Sequence, residues 1–304
     1  MTRVAGIDCG TNSIRLLVAD VHPDTGELIE LDRRMTIVRL GQGVDKTGRL
    51  APEALERTFA ACRDYAAVIE ELGAERVRFV ATSASRDAEN RADFVNGVVE
   101  ILGVEPEVIT GDQEAEFSFT GATGELHGDD RRLVVDIGGG STEFVVGNKH
   151  VEVARSVDIG CVRLTERHVR HDPPSAEEIA AIRADVRAAM DLAAETVPLA
   201  DAETLVGLAG SVTTVAAIAL GLEEYDSTKI HHARISRAQV DEVLARLLAS
   251  THDERAAIAV IHPGRVDVII AGALVLAEIM ERTGAAEVVV SEHDILDGIA
   301  LSVA

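Results

Sequence analysis

At 304 residues the chain is long enough for two domains, each burying a core of its own. Hydrophobic residues make up 47% of it but aromatics only 3%, so Val, Leu, Ile and Ala must build the cores, and no apolar run approaches the roughly 20 residues that span a bilayer. A formal net charge of −23 excludes a general nucleic-acid binder, which needs a basic face, and requires that any anionic ligand be held by local donors against the average field.

Residues 3–9, 14–21 and 27–39 have alternating or continuous apolar character and predict three antiparallel strands. A helix is predicted over 52–72, opened by Pro52 in its first turn and stopped by Gly73. A strand at 76–81, a helix over 88–102, a strand over 104–110 and a helix over 112–126 follow. The polar, glycine-containing stretch 124–132 is the best boundary and divides the chain into domains 1–125 and 126–304, with the last helix free to pack back on the first. Beyond it come strands at 132–137, 142–147 and 150–157, helices at 161–168 and 175–195, and a strand at 205–209. Residues 211–220 read as helical, 222–233 as irregular, and 236–249 and 252–257 as helical. His262-Pro263-Gly264 then breaks into a long apolar helix reaching 282, suited to a core or an interface, before a strand at 287–291 and a helix at 294–303. Strands then helices, given twice, predict an α/β protein with two mixed sheets. The chain enters its first strand without a signal-peptide pattern, and Cys9, Cys62 and Cys161 are too scattered for a disulfide frame or zinc site. Those features predict a cytoplasmic location away from membranes.

The segment LVVDIGGGSTEFVVG (133–147) is an apolar run ending in Asp136, a turn of Gly138, Gly139 and Gly140 with Ser141 and Thr142, then Glu143 and a second apolar run. It predicts a β-hairpin whose turn exposes backbone N–H groups to an anion. The N-terminus echoes it: aligning Asp8 with Asp136 sets Gly10 on Gly138 and Ser13 on Ser141, with Thr11 and Asn12 between. Two matched turns, each led by Asp, predict two related phosphate-holding domains facing a cleft. Either turn alone would pass for an ordinary hairpin loop.

Eight ordered motifs carry a resemblance over essentially the whole chain: GIDCGTNSIRLLV (6–18), TSASRDAEN (82–90), ITGDQEAEFSFTGA (109–122), VVDIGGGSTEFVVG (134–147), IGCVRLTE (159–166), VGLAGSVTTVAAI (206–218), IHPGRVDVIIAG (261–272) and VSEHDILDGIAL (290–301). The sequence resembles the exopolyphosphatase / guanosine pentaphosphate phosphohydrolase family (Ppx/GppA) in its short, two-domain form. The resemblance implies two duplicated actin-like domains of the acetate kinase–actin superfamily, ribonuclease H-like, flanking an interdomain cleft. It also implies a homodimer and hydrolysis of the terminal phosphoanhydride of inorganic polyphosphate, short chains favoured. Guanosine pentaphosphate is the alternative substrate; a phosphotransferase and a non-catalytic sensor are the more distant readings.

Such hydrolysis needs an oriented water, a carboxylate to direct it, and neutralisation of charge on the phosphoryl group. Asp8, Asp136 and Glu143 are placed to ligate Mg2+ (or Mn2+), although each Asp could equally order its own turn. Glu114 opens a helix, where the peptide dipole favours a carboxylate; by sequence alone Asp112 and Glu116 look the same, and the family resemblance selects Glu114 as catalytic. Many relatives carry Arg where this chain has Glu116. Arg86 resembles the family's cleft arginine, the alternative being a surface Arg beside Asp87 or Glu89. Gly210 and Ser211 follow a strand and open a helix, an anion-friendly terminus or a simple Ser cap. Arg265 could reach distal phosphates or pair with Asp267. The histidines, His231 and His232 included, have no metal-site spacing and read as surface or loop residues. Cys9 reads as a buried small hydrophobe rather than a nucleophile.

Overall fold

The computed structural model describes residues 1–22, 24–126 and 128–303, so position 127 of the boundary stretch lies outside the described residues. The chain forms two compact units, Met1–Gly121 with the segment from Ile295 onward, and Ala122–Asp294. The contacts therefore divide the chain at 121/122 and count the last helix with the first unit.

The first unit runs β1 (Thr2–Cys9), β2 (Ser13–Val21), β3 (Leu28–Ile37), α1 (Val44–Thr47), α2 (Pro52–Leu72), β4 (Arg76–Ala81), α3 (Ser83–Asp87), α4 (Arg91–Leu102), β5 (Glu107–Val108) and α5 (Gly111–Thr123). Its sheet has the order β3-β2-β1-β4-β5, antiparallel within β1–β3 and parallel from β1 through β4 to β5. The central strand β1 is buried on both faces, which is why it reads as a continuous apolar run. One face packs against α2 and α4 through Leu16, Tyr65, Phe79 and Phe94.

The second unit repeats this plan: β6 (Arg132–Ile137), β7 (Thr142–Gly147), β8 (Val151–Val157), α6 (Cys161–His168), α7 (Ala176–Ala194), β9 (Thr204–Leu208), α8 (Ala209–Ala219), α9 (Ser227–Ile230), β10 (Arg234–Ser236), α10 (Arg237–Ala249), α11 (His252–Ala256), α12 (Ile269–Thr283) and β11 (Glu287–Val290). In the order β10-β11-β9-β6-β7-β8, the five strands β8-β7-β6-β9-β11 match the first sheet, and β10 adds an antiparallel edge. The fold is thus a duplication of one α/β plan, a mixed sheet flanked by helices. The terminal α13 (Ile295–Leu301) returns to the first unit and covers the other face of its sheet, where Leu296 and Ala300 meet Val4 and Leu17 and Ile299 meets Val80. Arg33 of β3 holds Asp297 at 2.5 Å.

Three helices start with full capping boxes, Ser175 with Glu178, Ser236 with Gln239 and Thr251 with Glu254. The apolar helix over 265–282 resolves into a 3-10 turn at Pro263–Arg265 and then α12. Every α12 residue from Ile269 to Met280 is buried, so it is a core helix of its unit. Even Glu278 is buried there, bonded by Arg183 and Arg187 of α7. The helix expected over 88–102 begins only at Arg91, because Asn90 is spent clasping Leu50, accepting from its N–H at 2.8 Å and donating to its carbonyl at 3.1 Å. The strand expected over 104–110 shortens to Glu107–Val108, the two residues that pair with the end of β4.

Candidate active site

Both predicted turns are hairpins closed in the same way. The Gly10 N–H donates to Ser13 O and the Gly138 N–H to Ser141 O, each at 3.0 Å. Each glycine turn therefore uses one of its own N–H groups to close the loop. In the second unit the carbonyls are also committed. Gly138 O accepts from Cys161 N, Gly139 O from Val162 N and Arg163 N, and Gly140 O from the Arg163 side chain at 2.7 Å. A carbonyl and the N–H of the next residue point in opposite directions across a planar peptide. With all three carbonyls turned onto the start of α6, the N–H groups of Gly139, Gly140 and Ser141 face away from it, an array suited to an anion. Thr142 contributes differently from expectation: its hydroxyl donates to Ile159 O at 2.7 Å, tying the hairpin to the segment before α6.

The acids behind the turns differ between the units. Asp136 and Glu143 are direct cross-strand partners, both buried, at 7% and 1% exposure. Like charges facing each other in a sheet are unfavourable, and burial raises the cost. A buried carboxylate pair is the donor set a hard divalent cation takes, so these residues fit such an ion. At the equivalent place in the first unit, buried Asp8 faces Arg15, which donates to it from Nη2 at 2.6 Å and Nε at 3.0 Å. Arg15 already neutralises Asp8, which makes Asp8 a weaker metal candidate than the other two. The repeat alignment contained this signal, since it sets Arg15 on Glu143. Thr11 is bonded to Ser83 at 2.8 Å, and the carbonyl of Asn12 accepts from Val38 N and Arg39 N. Asn12 Nδ2 is buried without a hydrogen-bond partner in its unit's turn, a donor available to a bound oxyanion.

Glu114 lies in the first turn of α5 at 8% exposure, whereas Asp112 and Glu116 on the same helix are exposed. Its side chain meets Arg86 Nη1 at 3.2 Å, and the same nitrogen donates to Ile109 O at 2.9 Å. Arg86 is therefore not the surface residue of the alternative reading; it holds the one buried acid of this turn.

Gly210 and Ser211 open α8 after a left-handed residue, Ala209. Ser211 is not the cap: Leu208 occupies that place without a side-chain bond, and Ser211 is buried within the first turn. The Arg265 guanidinium lies flat against Gly210, with its carbon 1.9 Å from where a Cβ would sit. Only glycine admits that contact.

His231, His232 and His293 lie in loop segments, and the fold gathers them into a cluster. His231 stacks on His232 with centroids 3.7 Å apart and approaches His293 at 4.5 Å. Glu125 Oε2 lies 3.1 Å from His231 Nε2 and 3.7 Å from His293 Nδ1, a ligand-like cluster drawn together by the fold from distant segments. Its hydrogen bonds speak against a metal. The Glu292 N–H donates to His231 Nδ1 at 3.2 Å, which places the ring proton on Nε2, the atom a metal would need bare. The cluster is a hydrogen-bonded brace.

All three cysteines are buried, and burial pushes Cys62 up to about 12 and Cys9 and Cys161 above the ordinary thiol range. The folded chain is expected to give no fast reaction with Ellman's reagent at pH 8, all three thiols appearing only on denaturation. A rapidly titrating native thiol would reopen Cys9 as a nucleophile.

The model of the Ppx/GppA phosphatase family matches residues 17–304. A Mycobacterium tuberculosis protein named Exopolyphosphatase 2 is 52% identical, over 100% of this chain and 99% of that one. Among solved structures, an exopolyphosphatase-like protein superposes with a TM-score of 0.95 at 46% identity, covering 99% of this chain and 97% of that one. An exopolyphosphatase from Cytophaga hutchinsonii gives 0.88 at 27% identity, covering 98% and 96%. No helix among the described residues is long and apolar enough to cross a membrane.

Proposed function

The chain belongs to the Ppx/GppA phosphatase family, and we propose that it is an exopolyphosphatase, a phosphoanhydride hydrolase releasing orthophosphate from the end of inorganic polyphosphate. The observation that carries this reading is the second hairpin: N–H groups of Gly139, Gly140 and Ser141 turned away from α6, in a turn whose flanking strands carry the buried pair Asp136 and Glu143.

In this reading the turn N–H groups and Asn12 Nδ2 bind phosphoryl oxygens, and Arg265 with the Gly210–Ser211 helix start binds phosphates further along the chain. Glu114, held by Arg86, accepts a proton from the attacking water. The water oxygen bonds to the terminal phosphorus, the bridging P–O bond breaks, and its electron pair leaves with the shortened polyphosphate. Asp136 and Glu143 would hold Mg2+ (or Mn2+), which when bound neutralises charge on the phosphoryl oxygens. The alternative reading, guanosine pentaphosphate as substrate, draws its support from Tyr225. The residue is 46% exposed, yet its hydroxyl is fixed 2.7 Å from both Thr213 of α8 and Glu292, a rigid ring face on which a base could stack.

The test is phosphate release over a ladder of polyphosphate lengths and from guanosine pentaphosphate, with Mg2+ and with chelator. Release from short polyphosphate that vanishes with chelator is expected. No release from any of these substrates at saturating Mg2+ would overturn the activity, and equal efficiency on very long polymer would overturn the preference for short chains.

A further inference from the structure

The repeat can be followed across each sheet at the level of the hairpin acids. In the first unit the cross-strand row reads Val80, Asp8, Arg15, Met35 from β4 to β3. In the second it reads Leu208, Asp136, Glu143, Ser156 from β9 to β8. Both rows begin with an apolar residue and an aspartate, and both then diverge at two positions together. Where the first unit carries an arginine, and next to it a Met with no hydrogen to donate, the second carries a glutamate and next to it a hydroxyl. That hydroxyl is used: Ser156 Oγ donates to Glu143 Oε1 at 2.7 Å.

We infer that Ser156 is a positioning residue for divalent-cation binding, fixing the Glu143 carboxylate so that it and Asp136 present oxygens to one ion; this rests on the proposed role of those two acids. A glutamate side chain has three rotatable bonds, and a row of two acids tends to splay them apart. A short hydrogen bond from the neighbouring strand fixes one oxygen and thereby the carboxylate plane, while leaving the charge intact. The first unit has no such need, because Arg15 both orients and neutralises Asp8. Partners that orient a ligating carboxylate typically matter 10- to 100-fold in metal affinity or activity.

The experiment is calorimetric titration of substrate-free protein with Mg2+, comparing wild type, Ser156→Ala and Ser156→Thr, with thermal melts as a fold control. Ser156→Ala is expected to weaken Mg2+ binding about tenfold or more. The half-saturating Mg2+ for phosphate release should rise by the same factor, with turnover recovering at high Mg2+. Ser156→Thr, which keeps the hydroxyl, should stay within about twofold of wild type. Unchanged affinity in Ser156→Ala, or equal losses in Ala and Thr, would overturn the inference. Affinity unchanged in Asp136→Asn and Glu143→Gln would instead sink the reading beneath it, so the two failures are distinguishable.

Discussion

Glu114→Gln is expected to lower the rate of phosphate release by about 10²- to 10⁴-fold, the usual contribution of a positioned general base. The fold should be untouched. Gln is isosteric, and its amide oxygen can still accept from Arg86, which lies 3.2 Å from the carboxylate and is also secured by Ile109 O. The KM for polyphosphate should change little, because the phosphate-binding groups assigned above lie elsewhere. The neighbouring acids supply the control. Asp112 and Glu116 share the helix terminus with Glu114 but stand exposed, so Asp112→Asn and Glu116→Gln should stay within about twofold of wild type. A helix-dipole role alone would make the three substitutions alike and small. Steady-state kinetics of the three variants, beside their melting temperatures, decide; normal turnover in Glu114→Gln would end its assignment.

That contrast also marks the limit of what could be read from the chain. Periodicity and caps locate α2, since Pro52 and Gly73 bracket it, and locate the paired hairpins, since glycine turns between apolar runs have few other forms. Helical spacing sets Asp112 and Glu116 on one face of α5 and Glu114 on the opposite one, but which face is buried is decided by the fold, which leaves Glu114 8% exposed against Arg86. Long-range bonds were equally out of reach. Asn90 holding Leu50 delays α4, and Glu125, His231 and His293 meet only because the second unit folds them together. Strand β10 has three residues, too few to show alternation, and is held by its pairing with β11. Arg15 is the instructive case. Its position opposite Asp8 follows from the hairpin register and was already aligned with Glu143, but a motif reading attends to shared residues and passes over the ones that differ.

Gly160→Ala should disable the site more than it destabilises the protein. Gly160 has φ −154° and ψ 162°, extended backbone open to any residue, so glycine is not needed there for conformation. It is needed for room. A Cβ would lie 2.4 Å from both C and O of Gly139 and 2.5 Å from Gly140 N, closer than real Cβ contacts allow. The obstructing atoms are backbone and cannot rotate aside, so the glycine turn must move. Moving it disturbs the bonds from Cys161, Val162 and Arg163 that hold its carbonyls on α6 and aim the opposite N–H groups. Loss of one such donor commonly costs about 10²- to 10³-fold, and kcat/KM for polyphosphate should fall by about 10²-fold or more. The overpacking itself should cost about 1–3 kcal/mol, visible as a modest drop in melting temperature. Gly221→Ala gives the opposite pairing. Nothing lies within 4 Å of its Cβ position, but its φ of +66° strains a side chain, so stability should fall with activity intact. If Gly160→Ala kept wild-type kcat/KM, the turn would not be what holds the phosphate.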